Sequence, residues 1–373
     1  MNTKNANKRA MDSDKKILFH KKWLEKWQRD PFSVFPLYME ISPVGYCNHR
    51  CKFCAFDYLK YKKTRLSREV LVKVITEMAG CGVKAIQFAG EGEPLLSPDL
   101  AEAMETASYA GVEISMLTNG VLLNQCFVDR ALKTMKWFQV SIDAGNRLTY
   151  AKIHRASPKD FNKVLNNLRY AVSFRNEKKM SCEIGAQMIL LPENYMEAVS
   201  LTKTLIDVGV DYLTIKPYSH HPSSAHSDLV SGHRSFYKEV AYLEEKVKKV
   251  AKGFMEIDFR KVAMSEVETE RAYDRCYSTP TAWGYITAEG DLYSCSAFLG
   301  DERFLLGNIK EQSFEEIWMG EKRKTHLNFM EGYDVKKNCR RVCRMNRSNN
   351  TLFRLKKGEK IQAGKMPGRV NFI

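Results

Sequence analysis

A chain of 373 residues, 44% apolar and 28% charged, has room for one large α/β domain plus a smaller module, with the composition of an ordinary folded protein. No stretch approaches the ~20 apolar residues that cross a bilayer, and the opening MNTKNANKRAMDSDKK lacks an apolar signal region, so a cytoplasmic location and no membrane partner are expected. The net charge of +15 is uneven, because residues 336–373 hold 12 Lys and Arg against Glu359 alone.

That basic stretch reads as a solvated tail, with an anionic substrate, an acidic partner or nucleic acid as the functional alternatives. No zinc finger or RNA-recognition motif supports nucleic acid. In a reducing compartment, the 10 cysteines argue for metal ligation rather than disulfides.

In chain order, residues 1–35 are polar with an aromatic patch (Phe19, Trp23, Trp27, Phe32) at near-helical spacing, which predicts a helix docking on the main domain. Strands are predicted over 36–44, 84–90, 112–120, 137–143, 182–191 and 211–217. Helices are predicted over 68–80, 98–110, 124–134, 158–175, 193–208 and about 234–252. Six βα units with largely apolar strands predict a parallel sheet covered by helices on its outer face, too few for a complete eight-fold barrel.

The first strand leads into CNHRCKFC, with Cys47, Cys51 and Cys54 separated by three and two residues. Three thiols on so tight a loop are odd in number and poorly placed for disulfides. A soft metal centre suits them better. Zinc would want a fourth ligand, for which His49 is the nearby candidate. Other notable residues fall at strand C-terminal ends: Gly90-Glu91-Gly92-Glu93-Pro94, Thr118-Asn119-Gly120, Ser141-Ile142-Asp143 and Lys216-Pro217-Tyr218. In a βα barrel that end carries the site, although each could be a simple turn.

Past residue 275 the pattern changes. Cys276 is followed by thirteen residues, Gly290, four residues and Cys295, and then by Cys339 and Cys343. TAWGYITAEGDLYSC reads as a β-hairpin turning at Glu289-Gly290. Four cysteines can close one [4Fe-4S] cluster or a zinc site.

Cys47–Cys54, with Phe53 before the third cysteine, resembles the signature loop of the radical S-adenosylmethionine (SAM) enzymes. The second set resembles the auxiliary-cluster module called twitch, a shortened SPASM domain. The resemblance implies a partial (β/α)6 TIM-like barrel with a small C-terminal β-hairpin and helix module. It implies one [4Fe-4S] cluster on Cys47, Cys51 and Cys54, with an open iron that binds SAM. A second, auxiliary [4Fe-4S] cluster would sit on Cys276, Cys295, Cys339 and Cys343. Phe53, Gly92, Glu93, Pro94, Thr118, Asn119 and Ser141 would surround SAM, with Glu91 replacing the first glycine of the family's GGEP element. An electron donor such as flavodoxin or ferredoxin is the implied partner.

The expected organisation is an N-terminal helical extension (1–35), the barrel (36–255), the auxiliary module (256–350) and the basic tail (351–373). The expected activity is hydrogen abstraction from an unactivated C–H bond of a small polar substrate, such as a sugar, nucleotide-sugar or aminocyclitol, with an anionic one among the candidates. Two-electron oxidation is favoured, with epimerisation or peptide modification as alternatives. Outside that class, the alternative is a metal-stabilised basic nucleic-acid-binding protein. Lys216 and His154 are candidate catalytic residues, and Arg155, Tyr218, His220 and His221 candidate substrate contacts. Cys81, Cys126 and Cys182 read as core packing, with Cys182 the preferred candidate for a hydrogen-donating thiol.

Overall fold

Apolar side chains alternate with polar ones along the strands of the central sheet, and the alternation decides the architecture. The computed structural model describes residues 15–219, 221, 223–224, 236–267 and 269–373. Strands β1 (Tyr38–Ile41), β2 (Ala85–Phe88), β3 (Glu113–Thr118), β4 (Met135–Ser141), β5 (Glu183–Leu190), β6 (Tyr212–Pro217) and β7 (Glu256–Phe259) lie side by side in that order. All are parallel.

Met39, Ile86, Ile114, Phe138, Ile184 and Leu213 join the helices in one buried apolar cluster with Leu71, Met104, Leu168 and Leu205. The alternate positions belong to the opposite face: Glu40, Gln87, Ser115, Gln139, Gln187, Thr214 and Asp258. A sheet with helices on one face only curls around the other, and the outcome is the expected partial barrel, with a polar lumen. β8 (Trp283–Ile286) then pairs in parallel with β1, while β9 (Asp291–Tyr293) and β10 (Leu305–Asn308) continue antiparallel. Among the described residues the result is one ten-stranded sheet. β7 lies beyond the boundary expected at residue 255, so the sheet carries on across it.

Local chemistry sets the element ends. The helix predicted over 68–80 runs Arg68–Gly80, because the Ser67 side chain accepts from Val70 N. The helix predicted from 193 starts at Ala198. Ahead of it, Asn194 is wholly buried, accepting from Leu191 N and donating to Asp143 O and Ile189 O. An unforeseen helix, Arg147–His154, begins at Asn146, whose side chain accepts from Leu148 N and Thr149 N.

The solvated-tail expectation holds only in part, for Lys356, Lys357, Lys360 and Lys365 are exposed but the end of the chain docks. After the helix Asn346–Lys356 the chain returns to the barrel floor. Arg369 is 1% exposed, its guanidinium 4.6 Å from both the Trp137 and Tyr212 ring centroids, and it pairs with Glu183. Phe372 meets Tyr38 and Trp137 edge-on at 5.8 and 5.4 Å, and Lys16 Nζ donates to its carbonyl at 2.8 Å. These partners stand at or near strand starts, where the aromatic rings gain cover from water and the Glu183 carboxylate gains a cationic partner. Phe372→Ala should therefore cost about 3–5 kcal/mol, read as a lowered denaturant midpoint in anaerobic unfolding. An unchanged midpoint would mean that the floor contacts carry no stability.

The N-terminal aromatic patch docks as expected but on a different surface. Trp23 and Trp27 of the helix Lys21–Arg29 stack at 6.3 Å. Trp27 is buried with Val34, Leu37, Ala282 and Leu352, at the lead-in to β1, the lead-in to β8 and the C-terminal helix.

Candidate active site

The cysteine loop leaves β1 and is hooked to the end of a helix. Arg50 N donates to His154 O at 3.1 Å and Lys52 N to Ile153 O at 2.8 Å, satisfying carbonyls that the last helical turn leaves open. Arg50 also donates from Nη1 to Cys47 O and His49 O, with its guanidinium over the Tyr61 ring at 4.1 Å. Cys47, Cys51 and Cys54 are free thiols. Burial pushes the Cys47 thiol up to about 12, with Glu93 adding to the shift. Burial also raises Cys51, and the charges of Cys54 and Cys47 raise it further. Three close, half-buried thiols resist ionisation in each other's field, and a bound metal centre relieves that cost.

Two imidazoles buttress this loop from behind. His154 Nδ1 lies 3.2 Å from Cys51 Sγ, while its Nε2 lies 2.8 Å from Ile142 O and 3.4 Å from Asp143 Oδ2. Burial pushes His154 down to about 3, so the ring is neutral. His49 Nε2 sits 3.2 Å from Asp160 Oδ2. One ligand atom each from His49, Cys51 and His154 lies within 4.8 Å of the others, a possible nitrogen–sulfur metal set that omits Cys47 and Cys54. His154 is thus corrected from catalytic candidate to loop support, since both nitrogens are engaged and the residue is wholly buried. Arg155 is an exposed left-handed cap (φ 47°) of the same helix.

The loop after β2 packs directly on the cysteine loop. A Cβ on Gly92 would lie 2.2 Å from Tyr46 O and 2.5 Å from Val44 O, so only glycine fits. Glu93 N donates to Tyr46 O at 2.9 Å. The Glu93 carboxylate is buried and fully used. Oε1 accepts from Thr118 Oγ1 at 2.5 Å and Leu95 N at 3.1 Å, and Oε2 from Asn119 N at 2.8 Å. Glu93 therefore clamps the end of β3 rather than presenting a free carboxylate, and Pro94 opens the short turn Pro94–Leu96 behind it. Asn119 Nδ2 donates to Asn48 Oδ1 at 2.7 Å and lies 3.8 Å from Cys47 Sγ. Phe53 packs with Ile153, Ile189, Leu191 and Tyr218. Ser141 Oγ accepts from Gln187 Nε2 at 3.3 Å.

Glu91, the departure from the glycine pattern, has a visible role. Its Oε1 accepts from Ala288 N at 3.3 Å, and burial pushes its carboxyl up to about 7. It ties the β2 loop to the turn between β8 and β9.

That turn is the predicted hairpin. Gly290 adopts φ +92°, and a Cβ there would lie 2.9 Å from Asn308 Oδ1. Asn308 Nδ2 donates to Asp291 Oδ1 at 2.8 Å, fixing β10 to the turn. Cys276, Cys295, Cys339 and Cys343 belong to one aromatic cluster with Trp137, Trp283, Tyr285 and Phe304. Burial, and the charges of Cys339 and Cys343, raise both Cys276 and Cys295, so the four thiols share one field. Arg271 donates to Val335 O at 3.2 Å and Arg341 O at 2.9 Å, and also to Arg340 O, bracing the loop that carries Cys339 and Cys343.

The remaining predicted residues separate clearly. Lys216 ends β6 on the lumen side and is pushed down to about 8 by burial and by Arg260. Tyr218 is 2% exposed, its backbone N donating to Tyr237 Oη at 3.0 Å. His221 is corrected from substrate contact to packing. Its Nε2 meets Ala297 O at 2.8 Å, its Nδ1 accepts from Ser223 N at 3.1 Å, and its ring stacks on Tyr58. His220 lies outside the described residues.

Cys182 is corrected as a hydrogen donor. It precedes β5 at the barrel floor, with Sγ 3.8 Å from Glu183 O, at the opposite end from the cysteine loop. Sequence reasoning missed the lumen side chains Gln87, Ser115, Gln139, Gln187 and Thr214, although the alternation in IQF, ISM, FQV, AQM and LTI displays them. It also missed Arg344, which pairs with Glu40 of β1, and Arg340.

A curled parallel sheet carries three thiols on the loop at its mouth, and four more gather in the aromatic cluster with Trp283 and Tyr285 of β8, a donor set suited to iron–sulfur clusters. The sequence profile described as "Radical SAM superfamily" matches residues 41–205, and the SPASM profile, described as "Iron-sulfur cluster-binding domain", matches 276–344. An S-adenosylmethionine-dependent nucleotide dehydratase of Lacinutrix mariniflava is 36% identical over 115 residues, 30% of this chain and 24% of that protein. A tungsten-containing aldehyde ferredoxin oxidoreductase cofactor-modifying protein of Pyrococcus furiosus is 23% identical over 79% of this chain and 83% of that protein. The match therefore spans about a quarter of the dehydratase but most of the modifying protein. SuiB of Streptococcus suis, solved with S-adenosylmethionine, superposes with a TM-score of 0.62 at 17% identity, covering 82% of this chain and 70% of that one.

The chain carries a radical SAM domain over residues 41–205 and a SPASM-type module over residues 276–344. Its cofactors are SAM and two [4Fe-4S] clusters, and the two thiol sets fit them in number, burial and chemistry. No helix among the described residues is long and apolar enough to cross a membrane.

Proposed function

We propose that this enzyme abstracts a hydrogen atom from an unactivated C–H bond of a small, polar, anionic substrate and releases it oxidised by two electrons. The observation that carries the reading is the polar lumen between the two cysteine sets, where Gln87 Nε2 and Ser115 Oγ are buried without hydrogen-bond partners. Buried donors left open in this way suit a hydroxylated ligand. The dehydratase relative, named for a nucleotide, supports a phosphorylated small molecule.

Cys47, Cys51 and Cys54 would hold the first cluster, and Cys276, Cys295, Cys339 and Cys343 the second. When bound, these groups and SAM supply a 5′-deoxyadenosyl radical at one end of the lumen and an electron acceptor at the other. The chain's own residues do the positioning. Asn119 holds Asn48 and Cys47 in place, and Glu93 fixes Thr118 and Asn119. With both Glu93 oxygens engaged, an incoming ammonium would meet the backbone carbonyls of Glu91-Gly92. Phe53 packs beside this end of the lumen, and Arg369 with Phe372 closes the floor against water. A second reading is peptide modification, favoured by SuiB, which was also solved with its precursor peptide SuiA.

The test uses anaerobic holoenzyme, SAM and dithionite with deuterated nucleotides and sugar phosphates. Deuterium should appear in 5′-deoxyadenosine, with a product lighter by two hydrogen atoms. A product of unchanged skeleton carrying solvent hydrogen would make it an epimerase. Transfer from a peptide alone would replace the small-molecule reading.

A further inference from the structure

Three cations meet where β6 and β7 end and the second cysteine loop approaches the barrel. Lys216 lies in register with Ile189 of β5. Arg260 follows β7, its Nε 3.0 Å from Asp258 Oδ2. Arg340 comes from the loop between Cys339 and Cys343. Arg260 N donates to Ile215 O at 2.8 Å, which sets it beside Lys216, and Ser219 Oγ donates to Val342 O at 2.8 Å, which brings the Arg340 loop to the end of β6. After burial, the charges that act on Lys216 are those of Arg260, Asp143, Arg340 and Asp258.

Two carboxylates face these three cations. Asp143 Oδ1 accepts from Ile189 N, while Oδ2 lies 3.4 Å from His154 Nε2 and is buried without a hydrogen-bond partner. Asp258 is engaged by Arg260 and, at 3.4 Å, by Thr214 Oγ1. Lys216 has no hydrogen bond or ion pair among the described residues, and Arg340 Nε is buried without a hydrogen-bond partner. Cations withdrawn from water without partners are costly, and a cleft that gathers them is arranged for an anion.

We propose that Lys216, Arg260 and Arg340 bind a phosphate group of the substrate in the lumen, between the two cysteine sets. The inference rests on reading the lumen as substrate space and names the group that anchors the substrate there. One ammonium and two guanidinium forks match the several oxygens of a phosphate better than a single carboxylate. β6 and β7 lie several strands from β1, β2 and β3, whose loops carry the first cysteine set, Glu93 and Asn119. The carboxylate of SAM is the competing oxyanion for these cations, and SAM affinity in the variants separates it from a substrate phosphate.

The probe is inorganic pyrophosphate, titrated calorimetrically into anaerobic, SAM-loaded holoenzyme. The wild type should bind it, more weakly as salt rises. Lys216→Met and Arg340→Gln should each weaken binding ~10-fold or more, with iron content and SAM affinity unchanged, and Lys216→Arg should restore most of it. Equal pyrophosphate affinity in wild type and both variants overturns the proposal, as does no binding to the wild type at millimolar concentration. Loss of SAM affinity in place of pyrophosphate affinity also overturns it, by giving the cations to SAM. Lys216 is not on the cysteine loops, so Lys216→Met decides the matter even where Arg340→Gln loses iron. If pyrophosphate binds as expected while no small polar molecule yields labelled 5′-deoxyadenosine, the anion site stands and the proposed reaction fails.

Discussion

Replacing Cys47, Cys51 and Cys54 together with alanine will abolish reductive cleavage of SAM and lower the iron content from about eight to about four per chain. The loss will be chemical rather than structural. The loop's shape comes from the hydrogen bonds of Arg50 N and Lys52 N to the helix end, from Glu93 N on Tyr46 O, and from the Arg50 side chain. None of these uses a thiol. The triple variant should keep its circular dichroism and lose its 5′-deoxyadenosine. Undiminished 5′-deoxyadenosine in the presence of dithionite would sink the assignment of these thiols.

The Cys295→Ala, Cys343→Ala double variant should separate hydrogen abstraction from oxidation. Four thiols saturate a cubane cluster, so the second set leaves no open coordination position for substrate. Hydrogen abstraction leaves a carbon radical, and one bearing a hydroxyl becomes a strong reductant once it loses a proton. Without these thiols its electron has no acceptor inside the protein. Deuterium transfer to 5′-deoxyadenosine should persist while the oxidised product falls to background. Cys295 is nearly buried in the aromatic cluster, so some stability will go with it. A soluble, folded double variant that still forms product at the normal rate would rule out the electron-acceptor role.

What the sequence disclosed was local. Cysteine spacing, the Glu289-Gly290 turn and the βα succession are written within short windows, and the helix Arg68–Gly80 ends where its caps put it. The polar lumen was equally local, a period-two pattern inside each strand, but the apolar half of that pattern drew the reading. Contacts between distant segments were out of reach. Arg369 and Glu183 are 186 residues apart, and nothing near either announces that a basic terminus closes a barrel floor. Cys182 and Lys216 both border strands, and only the strand direction tells the floor from the mouth. His154 resembled a mouth residue because it follows β4. The helix it ends folds it back under the cysteine loop.

The pairing of β8 with β1 has a consequence for electron movement. β1 runs into the first cysteine set and the β8–β9 hairpin into Cys295, so one hydrogen-bonded ladder, with Tyr38 opposite Trp283 and Ile41 opposite Ile286, links both. Tunnelling rates fall exponentially with distance, and a hinge between two modules would make them fluctuate with every opening. Here the spacing is set by backbone register, which cannot slip by one residue without turning every side chain of the strand to the wrong face. Under the proposed oxidation, the timing of electron transfer would be left to the substrate's own chemistry, the moment at which its radical becomes reducing enough to discharge.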